Sequence, residues 1–291
     1  MRRNIDEAKV LDLPKIQDPR GNLSFVENDT QIPFDIHRSY WIYDVPGGAT
    51  RGGHAFKEQH EVIIVMSGSV DIIVDDGNTK KIVSLNRSYY GLYIPNGLWR
   101  QMCNFSTNSF VLVLASTDFD KSDYIHDYSV FLSTSFQNIP PHKIEFNKKN
   151  IQSYIAHSNI YNCNAIELDK HHQDGGNLTI VENSKSVPFD VKRAYYLYDI
   201  PGGESRGGHA HKELRQLIVA VSGSFDVVIS DGLIKRTITL NRPYQGLLVV
   251  PGIWRELENF SSGAVCLVLA SEKYDENDYL RNYEEFQNYI K

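Results

Sequence analysis

Short apolar runs recur along the chain, each closed by a turn signal. Val62–Met66, Val70–Val74, Leu92–Pro95 and Phe110–Ala115 are separated by Ser67-Gly68, Asp76-Gly77 and Asn86-Arg87, and Leu217–Val221 ends at Ser222-Gly223. Runs this short, rich in β-branched residues and bounded by such pairs, predict strands. Several short strands at close spacing imply a sandwich or a barrel. Two polar, aromatic stretches, Asp118–Tyr124 and Asp275–Tyr289, have helical potential instead. The stretch from Ser129 to Asn159 carries Pro140-Pro141 and a polar run at Asn147–Asn150, and reads as a linker.

The strand pattern occurs twice. Gly21-Asn22-Leu23, Pro33-Phe34-Asp35, Arg38 and Tyr40 return as Gly176-Asn177-Leu178, Pro188-Phe189-Asp190, Arg193 and Tyr195. Arg51-Gly52-Gly53-His54-Ala55 returns as Arg206-Gly207-Gly208-His209-Ala210, and Trp99-Arg100 as Trp254-Arg255. The offset is constant from about residue 11 to about residue 128, so this is a tandem duplication and not a many-unit solenoid. The expected division is a first domain over 1–130, a linker over 131–160 and a second domain over 161–291. The expected fold class is all-β.

Composition narrows the partners. A net charge of −6 argues against nucleic acid, which asks for a basic face. The N-terminus has no apolar segment of the signal-peptide kind, and no apolar run is long enough to span a membrane. Cys103, Cys163 and Cys266 have no metal-binding or redox spacing, and read as buried free thiols in a reducing cytosol. The expected location is therefore cytoplasmic.

His209 and His211 lie two apart beside a strand, so their imidazoles share a face. Such a pair suits a metal ion or proton transfer. The spacing from Gly203 through His209, His211 and Gln216 to Gly223 follows the first cupin motif, and Gly246, Pro251, Gly252, Arg255 and Asn259 approximate the second. The chain thus resembles the cupin superfamily, which implies two tandem jelly-roll barrels with short helical tails. Two metal-ligand positions of that motif are altered, to Gln216 and Arg255. A guanidinium has no lone pair to give, so the histidines read as catalytic with no metal and no cofactor.

Over nearly the whole repeat the chain resembles the WxcM-like cupin sugar 3,4-ketoisomerases. The resemblance rests on Arg206-Gly-Gly-His-Ala-His-Lys, Pro251-Gly-Ile-Trp-Arg, Asn259-Phe-Ser-Ser, and Tyr274 followed by Asp-Glu-Asn-Asp-Tyr. It implies metal-free isomerisation of a dTDP-linked 4-oxo-6-deoxy sugar, in deoxysugar synthesis for bacterial surface glycans. His209 and His211 would then be catalytic, with His211 as the base and His209 as a relay. Arg206 or Arg255 would support the oxyanion, and the other arginine, with Lys212, would meet the diphosphate. Tyr195 and Tyr198 would contact thymine or sugar, and Gln216 would line the pocket. The fusion would imitate a homodimer as an internal pseudo-dimer, with further homo-oligomerisation left open.

The first copy keeps His54, Arg51 and Arg100 as binding candidates, but has Phe56 for His211 and Glu61 for Gln216. It is expected to be degenerate, with a His54–Glu61 acid–base pair as the alternative. Rival readings for the whole chain are a sugar epimerase, a non-catalytic sugar-nucleotide-binding protein and a metal-dependent oxygenase. Arg100 and Arg255 disfavour the last.

Overall fold

The structure, a computed structural model, describes residues 3–137, 139–140 and 158–290. Residues 141–157 of the expected linker lie outside the described residues. In the first half the strands are β1 (Lys9–Asp12), β2 (Lys15–Asp18), β3 (Gly21–Glu27), β4 (Arg38–Tyr43), β5 (Arg51–Phe56) and β6 (Glu61–Ser67). There follow β7 (Val70–Asp75), β8 (Lys80–Leu85), β9 (Tyr90–Ile94), β10 (Trp99–Cys103), β11 (Phe110–Ala115), β12 (Tyr124–Ile125) and helix α1 (Tyr128–Ser133). The second half repeats the series. Its strands are β13 (Asn164–Glu167), β14 (Asp169–Gln173), β15 (Gly176–Glu182), β16 (Arg193–Tyr198), β17 (Arg206–His211) and β18 (Gln216–Ser222). It closes with β19 (Phe225–Ser230), β20 (Lys235–Leu240), β21 (Gln245–Val249), β22 (Trp254–Glu258), β23 (Val265–Ala270), β24 (Tyr279–Leu280) and helix α2 (Tyr283–Tyr289).

The chain forms two compact units, each a jelly roll of one seven-stranded and one five-stranded antiparallel sheet. In the first unit the sheets run β1-β9-β6-β11-β4-β15-β14 and β12-β5-β10-β7-β8. In the second they run β13-β21-β18-β23-β16-β3-β2 and β20-β19-β22-β17-β24. Burial explains the strand types. Central strands β11 and β23 are apolar and buried at every position, whereas β7 and β19 alternate between buried and half-buried residues. Edge strands β8 and β20 are basic at their start and mostly exposed, which blunts the open edge.

The units do not follow the boundaries expected from the repeat. The first comprises the described residues of Met1–Pro14, Val26–Lys143 and Asp169–Ser186, and the second those of Lys15–Phe25, Ile144–Leu168 and Val187–Lys291. The β2–β3 hairpin thus completes the second unit and the β14–β15 hairpin completes the first. β1 and β2 sit in different sheets although only Leu13-Pro14 separates them, and a proline there has no N–H to carry pairing on. In the second unit Leu23 and Phe25 pack on the core formed by Tyr195, Leu197 and Leu247, while Ser24 Oγ lies 3.1 Å from the Tyr198 hydroxyl. The first unit has the same joint, with Leu178 and Ile180 on its core and Tyr43 Oη 3.1 Å from Thr179 Oγ1.

The helical potential is realised at the second tail, where α2 lies within Asp275–Tyr289, but not at the first: Asp118–Tyr124 makes only a 3-10 turn at Lys121–Asp123 before β12, and α1 begins beyond it, at Tyr128. α2 lays the buried Phe286 against Trp254, so this tryptophan is covered by a helix. Of the three thiols, Cys163 and Cys266 are buried as expected and Cys103 is half-buried. Among the described residues no helix is long and apolar enough to cross a membrane.

Candidate active site

The second unit gathers its polar side chains around β17. His209 pairs across to Arg255 on β22, but Arg206 pairs with Leu257, so Gly207 and Gly208 of β17 together face the single Glu256 of β22. This bulge puts Arg206 in phase with His209 and His211, which regular alternation would not do. Gly207 makes it possible. Its φ is +69°, and a Cβ there would stand 1.7 Å from Nη1 of Arg255, which donates to the Gly207 carbonyl at 3.0 Å.

Both histidines are buried, with rings nearly perpendicular and Nε2 atoms 3.2 Å apart. His211 Nδ1 lies 2.8 Å from Oδ2 of Asp278. Asp278 sits just before Tyr279, the cross-strand neighbour of His211 on β24. The carboxylate is held ionised by His211 and by backbone N–H groups, its Oδ1 accepting from Glu213 N at 2.7 Å. An ionised carboxylate only accepts, so His211 carries its proton on Nδ1 and presents a lone pair at Nε2. His209 then donates from its own Nε2. Burial pushes His211 down to about 4 although Asp278 pulls it up, and burial together with Arg255 holds His209 well below the ordinary histidine range. Both imidazoles are thus neutral near pH 7. Tyr279 packs on both rings, with centroids 4.9 and 4.4 Å away, and the Arg281 guanidinium lies over Tyr279 at 4.2 Å.

Arg255 is buried and fixed on three sides. Its Nε donates to Gln216 Oε1 at 3.3 Å, its Nη2 to the Tyr195 hydroxyl at 3.1 Å, and its Nη1 to Gly207. No carboxylate pairs with it among the described residues. Burial moves the Tyr195 phenol up to about 12, so it stays neutral. Arg206 is buried and forms an ion pair with Asp18 Oδ1 at 3.4 Å, an aspartate on the exchanged hairpin that Arg20 also binds.

Two expected site residues fall outside this cluster. Tyr198 is three positions from Tyr195 on a regular strand, so it occupies the opposite face, where its hydroxyl meets Ser24. Lys212 turns to the Asn277 carbonyl, at 2.8 Å from Nζ. Arg281 and Asp18 escaped the sequence reading, and Asp278 and Tyr279 stood in the Tyr274–Tyr279 motif without a role assigned to them. Asp278 and Tyr279 lie in the repeated tail, matched by Asp123 and Tyr124, and that duplication was the available signal.

The first unit has the same frame with different chemistry. Arg51 pairs with Met102 and His54 with Arg100, the same bulge. Phe56 stands in the place of His211, its ring 4.8 Å from His54. His54 Nε2 is buried with no partner among the described residues, and burial beside Arg100 holds this imidazole far below its usual range. Asp123, with no imidazole to receive, accepts instead from the backbone N–H groups of Lys57, Glu58 and Gln59. Glu61 does not pair with His54. It grips Arg100 with both oxygens, at 2.6 and 3.0 Å, and accepts from the Tyr40 hydroxyl. Arg51 meets the neutral Gln173 at 3.1 Å where Arg206 meets Asp18.

Among the described residues no three His, Cys, Asp or Glu side chains are grouped to hold a metal ion. A family model described as FdtA, WxcM-like, C-terminal, matches residues 6–135 and again residues 161–291. A TDP-4-oxo-6-deoxy-α-D-glucose 3,4-oxoisomerase of Aneurinibacillus thermoaerophilus is 49% identical over 115 residues, covering 40% of this chain and 83% of the relative. Among solved structures, a TDP-quinovose 3,4-ketoisomerase of Campylobacter jejuni is 46% identical, with 44% of this chain and 98% of that one covered, at a TM-score of 0.43. A 3,4-ketoisomerase of Helicobacter canadensis is 44% identical, with 44% and 96% covered, at a TM-score of 0.43.

Proposed function

Because the chain belongs to the WxcM-like family and carries that family's domain twice, we propose that it is a nucleotide-sugar 3,4-ketoisomerase whose chemistry takes place in the second unit. The substrate is TDP-4-oxo-6-deoxyglucose, and the product is a 3-oxo sugar for surface-glycan deoxysugar synthesis. The observation that carries the reading is the buried, neutral His209–His211 pair with Asp278 behind it. Moving the carbonyl requires breaking the C3–H bond, forming an enediol, and placing a proton on C4. His211 Nε2 takes the C3 proton while the electrons of that bond form the C3–C4 double bond and charge gathers on the C4 oxygen. His209 passes a proton from the C3 oxygen to the C4 oxygen. Collapse of the enediol makes the carbonyl at C3, and His211 returns its proton to C4. The carbons are adjacent, so one base serves both. Asp278 fixes the tautomer and steadies the imidazolium while His211 holds the proton.

The first unit is silent in this reading. It lacks the second imidazole, its aspartate is occupied by backbone, and the charge of Arg100 is cancelled by Glu61. The test is an NMR time course on TDP-4-oxo-6-deoxyglucose in deuterated water. Wild type and His54→Asn should both form the 3-oxo sugar, and His211→Asn should form it at least about 10²-fold more slowly. Equal loss in both variants would place chemistry in the first unit as well. Deuterium exchange or inversion without carbonyl migration would indicate an epimerase, and an inert wild type would refute the assignment.

A further inference from the structure

Positions 61 and 216 match in the repeat and stand in the same place against an arginine, yet one is a carboxylate and the other an amide. In the first unit Glu61 and Arg100 form a fully buried, two-pronged ion pair. A guanidinium so engaged has its charge neutralised and its Nε–Nη2 edge used. In the second unit Gln216 gives Arg255 a single bond from Oε1, at 3.3 Å, and leaves the charge uncompensated. Its own amide nitrogen, Nε2, is buried and has no hydrogen-bond partner among the described residues, on a residue only 1% exposed. Leaving such a donor unmade costs about 1–3 kcal/mol, so its retention beside Arg255, the cross-strand partner of His209, calls for a partner that arrives later.

We propose that Gln216 is a catalytic residue of the second unit: its Nε2–H donates to the developing enediolate oxygen, and its neutrality leaves the Arg255 charge facing that oxygen. This rests on the ketoisomerase reading above and assigns Gln216 a function in it. An oxyanion forming in a dry site gains most from fixed donors that are already in place and not spent on a carboxylate. The tandem chain therefore holds the same constellation in two charge states, one suited to negative charge on the substrate and one in which that charge is already supplied by the protein.

The experiment is steady-state kinetics of the full chain with TDP-4-oxo-6-deoxyglucose, with TDP affinity measured by calorimetry. Gln216→Glu should fold, because Glu61 occupies the same position in the first unit. Its kcat should fall by about 10²-fold or more, the scale of a lost oxyanion donor, with KM and TDP affinity changed less than about threefold. Gln216→Met, which removes the donor but leaves the guanidinium charge, should lose less, about tenfold. A Gln216→Glu variant within threefold of wild-type kcat would overturn the proposal, and equal losses in the two variants would overturn its charge argument. An inert wild type would sink the isomerase reading and this assignment together, whereas an active wild type with an equally active Gln216→Glu would sink the assignment alone.

Discussion

For single side chains, what matters in the second unit is keeping a base neutral in a buried place that also holds an arginine. Burial moves His211 down to about 4, while Asp278 opposes the shift. The acid limb of kcat/KM should therefore fall near pH 4 and not near ~6.5, the value of a free imidazole. Asp278→Asn removes the group that favours the imidazolium, so the limb should move lower still, and kcat should fall by about 10²-fold. The same shift has a stability consequence of definite sign. Between ~6.5 and about 4 the unfolded chain binds a proton at this position that the folded chain does not, so stability rises with pH across that window. It is fully present above ~6.5 and is lost as pH falls toward about 4. Urea midpoints between pH 7 and pH 4 should show the loss, and His211→Asn should remove this residue's share of it, leaving the shares of His209 and His54, which are also held below the ordinary range. A variant profile as steep as the wild type's would mean that the folded protein protonates His211 normally.

The strand as a unit explains which of these groups meet. β17 turns Arg206 to the same face as its histidines only because of the bulge at Gly207. Gly207→Ala adds a Cβ 1.7 Å from Arg255 Nη1 at a φ of +69°, so the guanidinium must leave its place. Turnover should drop at least about tenfold, with a stability loss of about 1–3 kcal/mol. Gly52→Ala, whose Cβ meets Arg100 Nη1 at 1.6 Å, should cost similar stability and leave turnover intact. Equal turnover in the two variants would refute the proposed division of labour. The strands themselves were legible, because central strands such as β11 are continuously apolar and Gly-containing turns bound them. The histidine pair was legible from its spacing, and Phe56 from the repeat. The bulge was not, since two adjacent glycines do not reveal that two residues of one strand will face one of another. Tyr198 was misplaced for a related reason: its type suited the pocket, but strand phase sent it to the other face. Asp278 reaches His211 only through the pairing of β17 with β24, a contact that spacing along the chain cannot show.

On the scale of the whole molecule, the exchange of hairpins was hidden because the repeats are alike there. Asn22 with Asp199 and Asn177 with Asp44 make the same bond, at 3.0 and 2.9 Å, so nothing local indicates which half of the chain a hairpin will complete. Each compact unit consequently depends on the other half of the sequence. A fragment of residues 158–291 lacks β2 and β3 and so leaves β16 as an open edge, without Leu23 and Phe25 on its core. It does contain β14–β15, the matching hairpin. Two copies can repair each other by exchanging it, the ordinary route to a swapped dimer. Light scattering should find this fragment dimeric, with dissociation accompanied by unfolding. In such a dimer Gln173 stands where Asp18 meets Arg206, the arrangement already seen at Arg51. If the charge of Asp18 positions Arg206 for turnover, the dimer should be folded but slower than the full chain, and Gln173→Asp should restore part of the rate. A folded, fully active monomer would show that the second unit needs nothing from the first half of the chain.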